Sequence, residues 1–220
     1  MAKVFLSPSN QYDNVYAYGN TTEGVQCGKI ADACKIALER SGVDVMLMHD
    51  EDMQTKCAES NKFGADLHVP IHTNAFNGKV MGTRMFCYNS GKGMAACKAI
   101  FTRVAPMSPG TSENIQVNQK LYEVRVPAAP TAYIECEFHD TVDGAKWIVE
   151  NTVLIGETIA RGICDYFGVT FKEPEQPKPA AGATIYRVQV GAYTKKENAE
   201  NMLAKLKKDG YRGFIVEGKL

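Results

Sequence analysis

Short apolar runs alternate with amphipathic stretches from Lys3 to Phe167, and this alternation restricts the fold more than any other feature. Lys3–Ser7, Val43–Met48, Asp66–His72, Thr83–Tyr88 and Thr131–Glu137 read as strands. Gly24–Ser41, Glu51–Phe63, Gly93–Val104 and Val142–Phe167 carry apolar residues at helical spacing. In the last of these, Ile148, Ile155, Ile159, Ile163 and Tyr166 share one face. Such a pattern predicts an α/β fold, with a mainly parallel sheet flanked by helices. Ligand sites in these sheets gather at the carboxyl ends of the strands. Pro106 to Pro130 reads as irregular, with no element assigned.

Beyond Phe171 the composition shifts. Residues 172–184 are rich in proline and charge and read as a linker. Residues 185–220 then show a fresh βαβ pattern. Tyr186–Ala192 alternates like a strand, Asn198–Lys208 is amphipathic and stops at Gly210, and Phe214–Val216 reads as a second strand. A tail this short buries little core by itself. The predicted organisation is a domain over 1–171, the linker, and the small unit over 185–220.

Lys and Arg number 25, matched by 25 Asp and Glu, so nothing favours nucleic acid as a partner. No apolar run is long enough to span a membrane. Met1–Pro8 enters a strand at once and lacks the apolar core and cleavage site of a secretory leader, which predicts cytoplasmic synthesis. The seven cysteines form no C-x-x-C pair and read as reduced core residues.

Two strands end in groups able to carry chemistry. His72 closes an apolar run before Thr73-Asn74. Glu135 sits inside another, followed by Glu137, His139 and Asp140. Strand alternation predicts Glu135, Glu137 and His139 on one face, meeting His72 at one sheet end. Glu23 opens the first helix nearby. Two imidazoles with carboxylates beside them suit a hydrolytic zinc site. A buried carboxylate without a partner is costly, which favours a working role for Glu135. His68, on the His72 face but further back, reads as structural, and His49 as a surface residue.

These residues carry a resemblance. Over roughly residues 3–168 the chain resembles the zinc-dependent N-acetylmuramoyl-L-alanine amidases of cell-wall hydrolases and phage endolysins. His72-Thr73-Asn74 looks like the family's histidine-x-asparagine motif. Ile134-Glu135-Cys136-Glu137-Phe138 looks like its catalytic strand, with Glu137 in place of a glycine. Glu23 matches its glutamate ligand. The resemblance implies hydrolysis of the amide between N-acetylmuramic acid and L-alanine in bacterial peptidoglycan. Zn2+ supplies an activated water and Glu135 acts as the base.

One departure concerns the metal. The family opens with Asp-Pro-Gly-His-Gly, and this chain has Ser7-Pro8-Ser9-Asn10-Gln11, so Asn10 stands where the histidine ligand belongs. Three outcomes are open: His139 substitutes, Asn10 or Gln11 only orients ligands or substrate, or the metal is lost. A clostridial-type subgroup that pairs the Ser-Pro-Ser-x-Gln opening with Phe-His-Asp favours substitution. The implied ligands are then Glu23, His72 and His139, with Asn10, Gln11, Asn74, Glu137 and Asp140 orienting ligands or substrate.

The tail resembles part of a SPOR (sporulation-related) repeat, through Tyr186-Arg187-Val188-Gln189-Val190-Gly191-Ala192-Tyr193 and the helix after it. This implies peptidoglycan binding, and a homodimer if two half-units pair. Two rival expectations stand beside the amidase: a metal-free peptidoglycan-binding module, and a zinc peptidase or deacylase acting on another amide. The resemblance and the missing leader together suggest a phage- or prophage-type lysin reaching the wall after release, or an unrecognised export route.

Overall fold

The computed structural model describes residues 1–174, 188–208 and 213–218. The chain divides into two compact units, Met1–Pro174 and Glu175–Leu220.

In the first unit six strands form one sheet: β1 (Lys3–Pro8), β2 (Asp44–Leu47), β3 (Leu67–Asn74), β4 (Arg84–Cys87), β5 (Asn114–Val117) and β6 (Tyr133–Phe138). Their order is β2-β1-β3-β6-β4-β5. All neighbours run parallel except β4 and β6, which are antiparallel. The intervening helices are α1 (Glu23–Arg40), α2 (Met53–Phe63), α3 (Lys92–Val104), α4 (Tyr122–Arg125) and α5 (Val142–Phe167).

The alternation of β3 explains the layering. Leu67, Val69 and Ile71 join α1, α3 and α5 in the main apolar core. His68 and His72 take the opposite face, where α2 and α4 pack. Helix α5 lies close against two neighbours. A Cβ at Gly156 would stand 2.4 Å from the Ile30 carbonyl oxygen of α1, and one at Gly162 would stand 2.5 Å from Ile100 Cα of α3. Close approach of helix backbones therefore requires glycine at both positions.

The stretch from 106 to 130 is more ordered than expected. A 3-10 turn at Ala105–Met107, the edge strand β5 and the short α4 all fall within or beside it. β5 has only four residues (Asn-Ile-Gln-Val), and α4 is one turn. Neither is long enough to show a periodicity. β5 forms because β4 offers it a parallel edge, with Arg84 opposite Asn114 and Cys87 opposite Val117. All seven cysteines are buried and free, as reduced core residues should be.

The first unit's own contacts run past the expected boundary at residue 171. Arg40 and Arg161 stack over the Phe171 ring, Arg40 Nε donates to the Lys172 carbonyl, and both terminal nitrogens of Arg161 bond Glu173.

In the second unit the helix α6 (Lys196–Lys208) is present. Residues 188–192 and 214–216, expected as strands, carry no ladder. An isolated pair of strands is marginal in water. Tyr186, Arg187, Gly210, Tyr211 and linker residues 175–184 lie outside the described residues.

Candidate active site

The loop from Ser9 to Thr22 is sewn onto the start of α1. Glu23 N donates to the Asn14 carbonyl at 2.9 Å, and Gly24 N donates to the Gln11 carbonyl at 3.1 Å. These bonds carry Gln11 and Asn14 back beside the Glu23 side chain. Ser9 N donates to Ile71 O at 2.9 Å, which fixes the same loop to the end of β3. Glu23 and His72, separated by 49 positions, thus meet at the carboxyl ends of β1 and β3.

His72 Nδ1 lies 2.9 Å from Glu23 Oε1. The other Glu23 oxygen accepts from Asn14 Nδ2 at 2.8 Å. The Gln11 amide reaches the same point, 3.2 Å from Glu23 Oε1 and 3.5 Å from His72 Nδ1. The His72 ring stacks on Tyr133 with centroids 4.7 Å apart, and its far nitrogen Nε2 faces Glu123 Oε2 at 3.8 Å.

Glu123 was invisible to the sequence reading because it sits on the single-turn α4. It is buried, and its other oxygen lies 3.3 Å from His68 Nε2 and accepts from the Ser7 hydroxyl. The remaining ring nitrogen of His68 bonds Ser60 Oγ at 3.0 Å, and its ring stacks on Phe5. His68 is a structural residue, as expected, and it tethers Glu123. A carboxylate between apolar neighbours, two residues from Leu121 and next to Val124, was the one available signal.

Glu135 pairs with His72 in the β3–β6 register, and with Arg84 across the antiparallel β4 edge. Its Oε2 is buried and has no hydrogen-bond partner. Burial raises its pKa to about 7, with Glu23 pushing the same way and His72 and Arg84 opposing. Burial alone would lower the His72 pKa. Hydrogen bonds to Glu123 and Glu23, with the Glu135 charge nearby, override it and raise His72 to about 9. Burial likewise opposes the Glu23 charge, yet bonding to His72, Asn14 and Ser9 holds its pKa below the ordinary value. The His72 ring and the Glu23 and Glu123 carboxylates thus form a charged trio beside a carboxyl poised near neutrality.

His139 goes elsewhere. Its Nδ1 lies 2.9 Å from Thr73 Oγ1, and its ring stacks on Tyr16 at 4.8 Å. Between His72 and Asn74 the partner strand advances from Glu135 to Phe138, one residue more than β3 does. That extra residue is a bulge, and it inverts the alternation of every later side chain. Glu135 keeps the His72 face, whereas His139 falls on the Thr73 face. The period-two reading that joined them fails at this step.

The remaining predicted positions are structural in their contacts. Glu137 is buried and accepts from Gly82 N at 2.6 Å, Phe138 N at 2.7 Å and Ser108 Oγ at 2.5 Å. Asp140 Oδ2 accepts from Phe76 N and Gly78 N, each at 2.8 Å, and shapes the loop after β3. Asn74 Oδ1 accepts from Ala75 N. Asn10 is exposed and donates to the Glu51 carbonyl at 3.1 Å. His49 is half-buried and pairs with Asp32.

Among the described residues, Cys57, His68 and Glu123 are the one trio of His, Cys, Asp or Glu groups whose donor atoms all lie within 4.8 Å. All three are buried, and Ser60 and Ser7 already occupy His68 and Glu123. Burial, with Glu123 adding to it, pushes the Cys57 thiol up to about 12, so it stays protonated. This trio has no open side for a substrate. The Glu23, His72 and Gln11 groups do, since Gln11 is exposed.

Comparison with known proteins identifies the family and similar folds. The family model described as N-acetylmuramoyl-L-alanine amidase matches residues 10–165, and the SPOR domain model matches residues 169–218. The chain is 23% identical over 224 residues to the sporulation-specific N-acetylmuramoyl-L-alanine amidase of Bacillus subtilis (strain 168), covering 98% of this chain and 85% of that protein. The catalytic domain of CwlV, an N-acetylmuramoyl-L-alanine amidase from Bacillus (Paenibacillus) polymyxa var. colistinus, superposes with a TM-score of 0.69 at 16% identity, over 77% of this chain and 100% of that one. The amidase AmiC2 of Nostoc punctiforme gives 0.65 at 20% identity, over 76% of this chain and 97% of that one. No helix among the described residues is long and apolar enough to cross a membrane. By the match over residues 10–165, the chain belongs to the N-acetylmuramoyl-L-alanine amidase family.

Proposed function

We propose that the protein hydrolyses the amide between the lactyl group of N-acetylmuramic acid and L-alanine in peptidoglycan, with Glu135 as the proton carrier. One observation carries this reading: a buried, unpartnered Glu135 oxygen in register with a His72 that is itself paired to Glu23.

The converging oxygen and nitrogen donors at Glu23 and His72 suit a zinc ion, and the orphaned Glu135 oxygen suits a water beside it. Bound there, zinc supplies Lewis acidity and lowers the pKa of water. Glu135 then takes the proton as the water oxygen adds to the amide carbonyl carbon. As the C–N bond breaks, the Glu135 carboxyl returns the proton to the departing L-alanine nitrogen. A group with a pKa near 7 serves both directions at neutral pH. Asn14 holds Glu23, and Glu123 holds the far side of the His72 ring. His139, bonded to Thr73 and stacked on Tyr16, supports the strand end from behind. The SPOR-matching tail holds glycan near this site.

The test is a digest of purified sacculi, with products separated and identified. Release of free amino groups on L-alanine, without new reducing sugar ends, is the expected result. Cleavage within the stem peptide alone would replace this reading with a peptidase. Sacculus binding without cleavage by zinc-loaded protein would replace it with a binding module.

A further inference from the structure

The family opening places a histidine where this chain has Asn10, and Asn10 turns away to the Glu51 carbonyl. His139, the other nitrogen donor considered, is committed to Thr73. The next residue along the loop fills the gap. We infer that Gln11, through its side-chain amide oxygen, is the third protein ligand of the metal held by Glu23 and His72. This rests on the zinc reading above and adds a ligand that the family's histidine motif does not contain.

The geometry is that of a ligand set. The Gln11 amide lies 3.2 Å from Glu23 Oε1 and 3.5 Å from His72 Nδ1, and those two atoms lie 2.9 Å apart. Donors held about 2.0–2.2 Å from one zinc ion keep mutual separations of roughly this size. The position is built, not incidental. Gly24 N holds the Gln11 carbonyl, Gln11 N bonds Ser9 Oγ at 3.3 Å, and Asn14 Nδ2 bonds the Gln11 amide oxygen at 3.0 Å. Gly24 is also where a Cβ would stand 2.8 Å from the Tyr12 ring, so the loop closes tightly over the start of α1.

The Gln11 amide nitrogen donates to Glu23 Oε1 at 3.2 Å. A cation reverses the preference, because it repels the N–H and attracts the carbonyl oxygen. The amide then turns half a revolution about its last torsion, which is broad and two-fold. Asn14 Nδ2 gives up its bond to Gln11 and keeps the one to Glu23 Oε2. The inferred set is one imidazole, one carboxylate and one neutral amide oxygen. An amide is a weaker donor than the histidine it replaces, which leaves the ion more electron-poor and less tightly held.

The experiment measures metal on the full chain. Zinc stoichiometry and affinity come from chelator competition, and Co2+ absorption in the visible range reports the ligand field. Gln11→Ala should lower affinity at least about tenfold, the smaller end of what an outer-shell partner contributes. It should also alter the Co2+ spectrum. Gln11→Glu, which keeps an oxygen donor, should restore affinity, and Gln11→His should bind more tightly than the natural chain. Asn10→His should leave affinity and spectrum unchanged. Melting temperatures of the metal-free variants separate a folding defect from a lost ligand. Unchanged affinity and spectrum in Gln11→Ala would overturn this inference alone, as would a gain in Asn10→His with none in Gln11→His. A natural chain that takes up no zinc would instead overturn the functional reading on which it rests.

Discussion

Glu123 Oε2 lies 3.8 Å from His72 Nε2, on the opposite side of the ring from Glu23. The same carboxylate reaches His68 and the Ser7 hydroxyl. A metal-binding histidine commonly presents its second ring N–H to a carboxylate, which fixes tautomer and ring orientation. Here that carboxylate comes from a single helical turn, and β1 and β3 hold it in place. Glu123→Gln keeps the volume and removes the charge. Zinc affinity should fall about 10- to 100-fold, with the fold retained, as read by chelator competition and circular dichroism. Unaltered affinity would reduce Glu123 to a packing role.

Glu135→Gln separates binding from chemistry. The amide cannot accept the proton, so hydrolysis of soluble muropeptide should fall by at least about 10². Zinc content should stay at the level of the natural chain. Normal digestion by this variant would remove Glu135 as the base.

His139→Ala should retain zinc, because its ring bonds Thr73 and stacks on Tyr16. The expected effect is on stability, about 0.5–3 kcal/mol, from losing a buried ring and its bond to Thr73, whose hydroxyl keeps its 2.8 Å bond to the Tyr16 hydroxyl. Denaturant unfolding measures it. Loss of zinc from a folded His139→Ala protein would return His139 to the ligand set.

Metal uptake should release protons. His72 is raised from 6.5 to about 9, despite burial, by Glu123 and Glu23. A raised histidine pKa means that the ion pair stabilises the metal-free fold fully below about 6.5 and weakens as pH climbs through about 9. Zinc must displace a proton from the ring below about 9. Affinity should therefore rise by nearly tenfold per pH unit just above pH 7.5 and level off as pH nears 9, where Glu135, at about 7, is largely ionised. Calorimetry at pH 8 in buffers of different ionisation enthalpy should count close to one proton per zinc. A count of zero would mean that the imidazole does not ligate.

The tail should act on insoluble substrate only. A chain ending at Pro174 keeps the Arg40, Arg161, Phe171 and Glu173 contacts and should fold as the first unit. Its rate on soluble muropeptide should match that of the whole chain, and its binding to sacculi should be weaker, since tethering raises local substrate concentration. Equal sacculus binding by both chains would deny the tail a targeting role.

The sequence by itself was enough for the layers and for part of the site. Apolar runs at period two and period 3.6 are local properties, so β1, β3, β6, α1, α3 and α5 were legible within a residue or two. Motif residues at strand ends marked Glu23, His72 and Glu135, and the structure draws these together. Tertiary structure decided what depends on pairing. The bulge between β3 and β6 adds one residue to one strand, and no periodicity within β6 announces it, yet it sends His139 to the Thr73 face. Glu123 rides a turn too short to have a period, and it matters only because β1 and β3 carry Ser7 and His68 to it. Gln11 reaches Glu23 through backbone bonds from Glu23 and Gly24 to the loop between β1 and α1, and such bonds leave no periodicity in the chain. Alternation along one strand is written in the chain, whereas register between strands is fixed only when they meet.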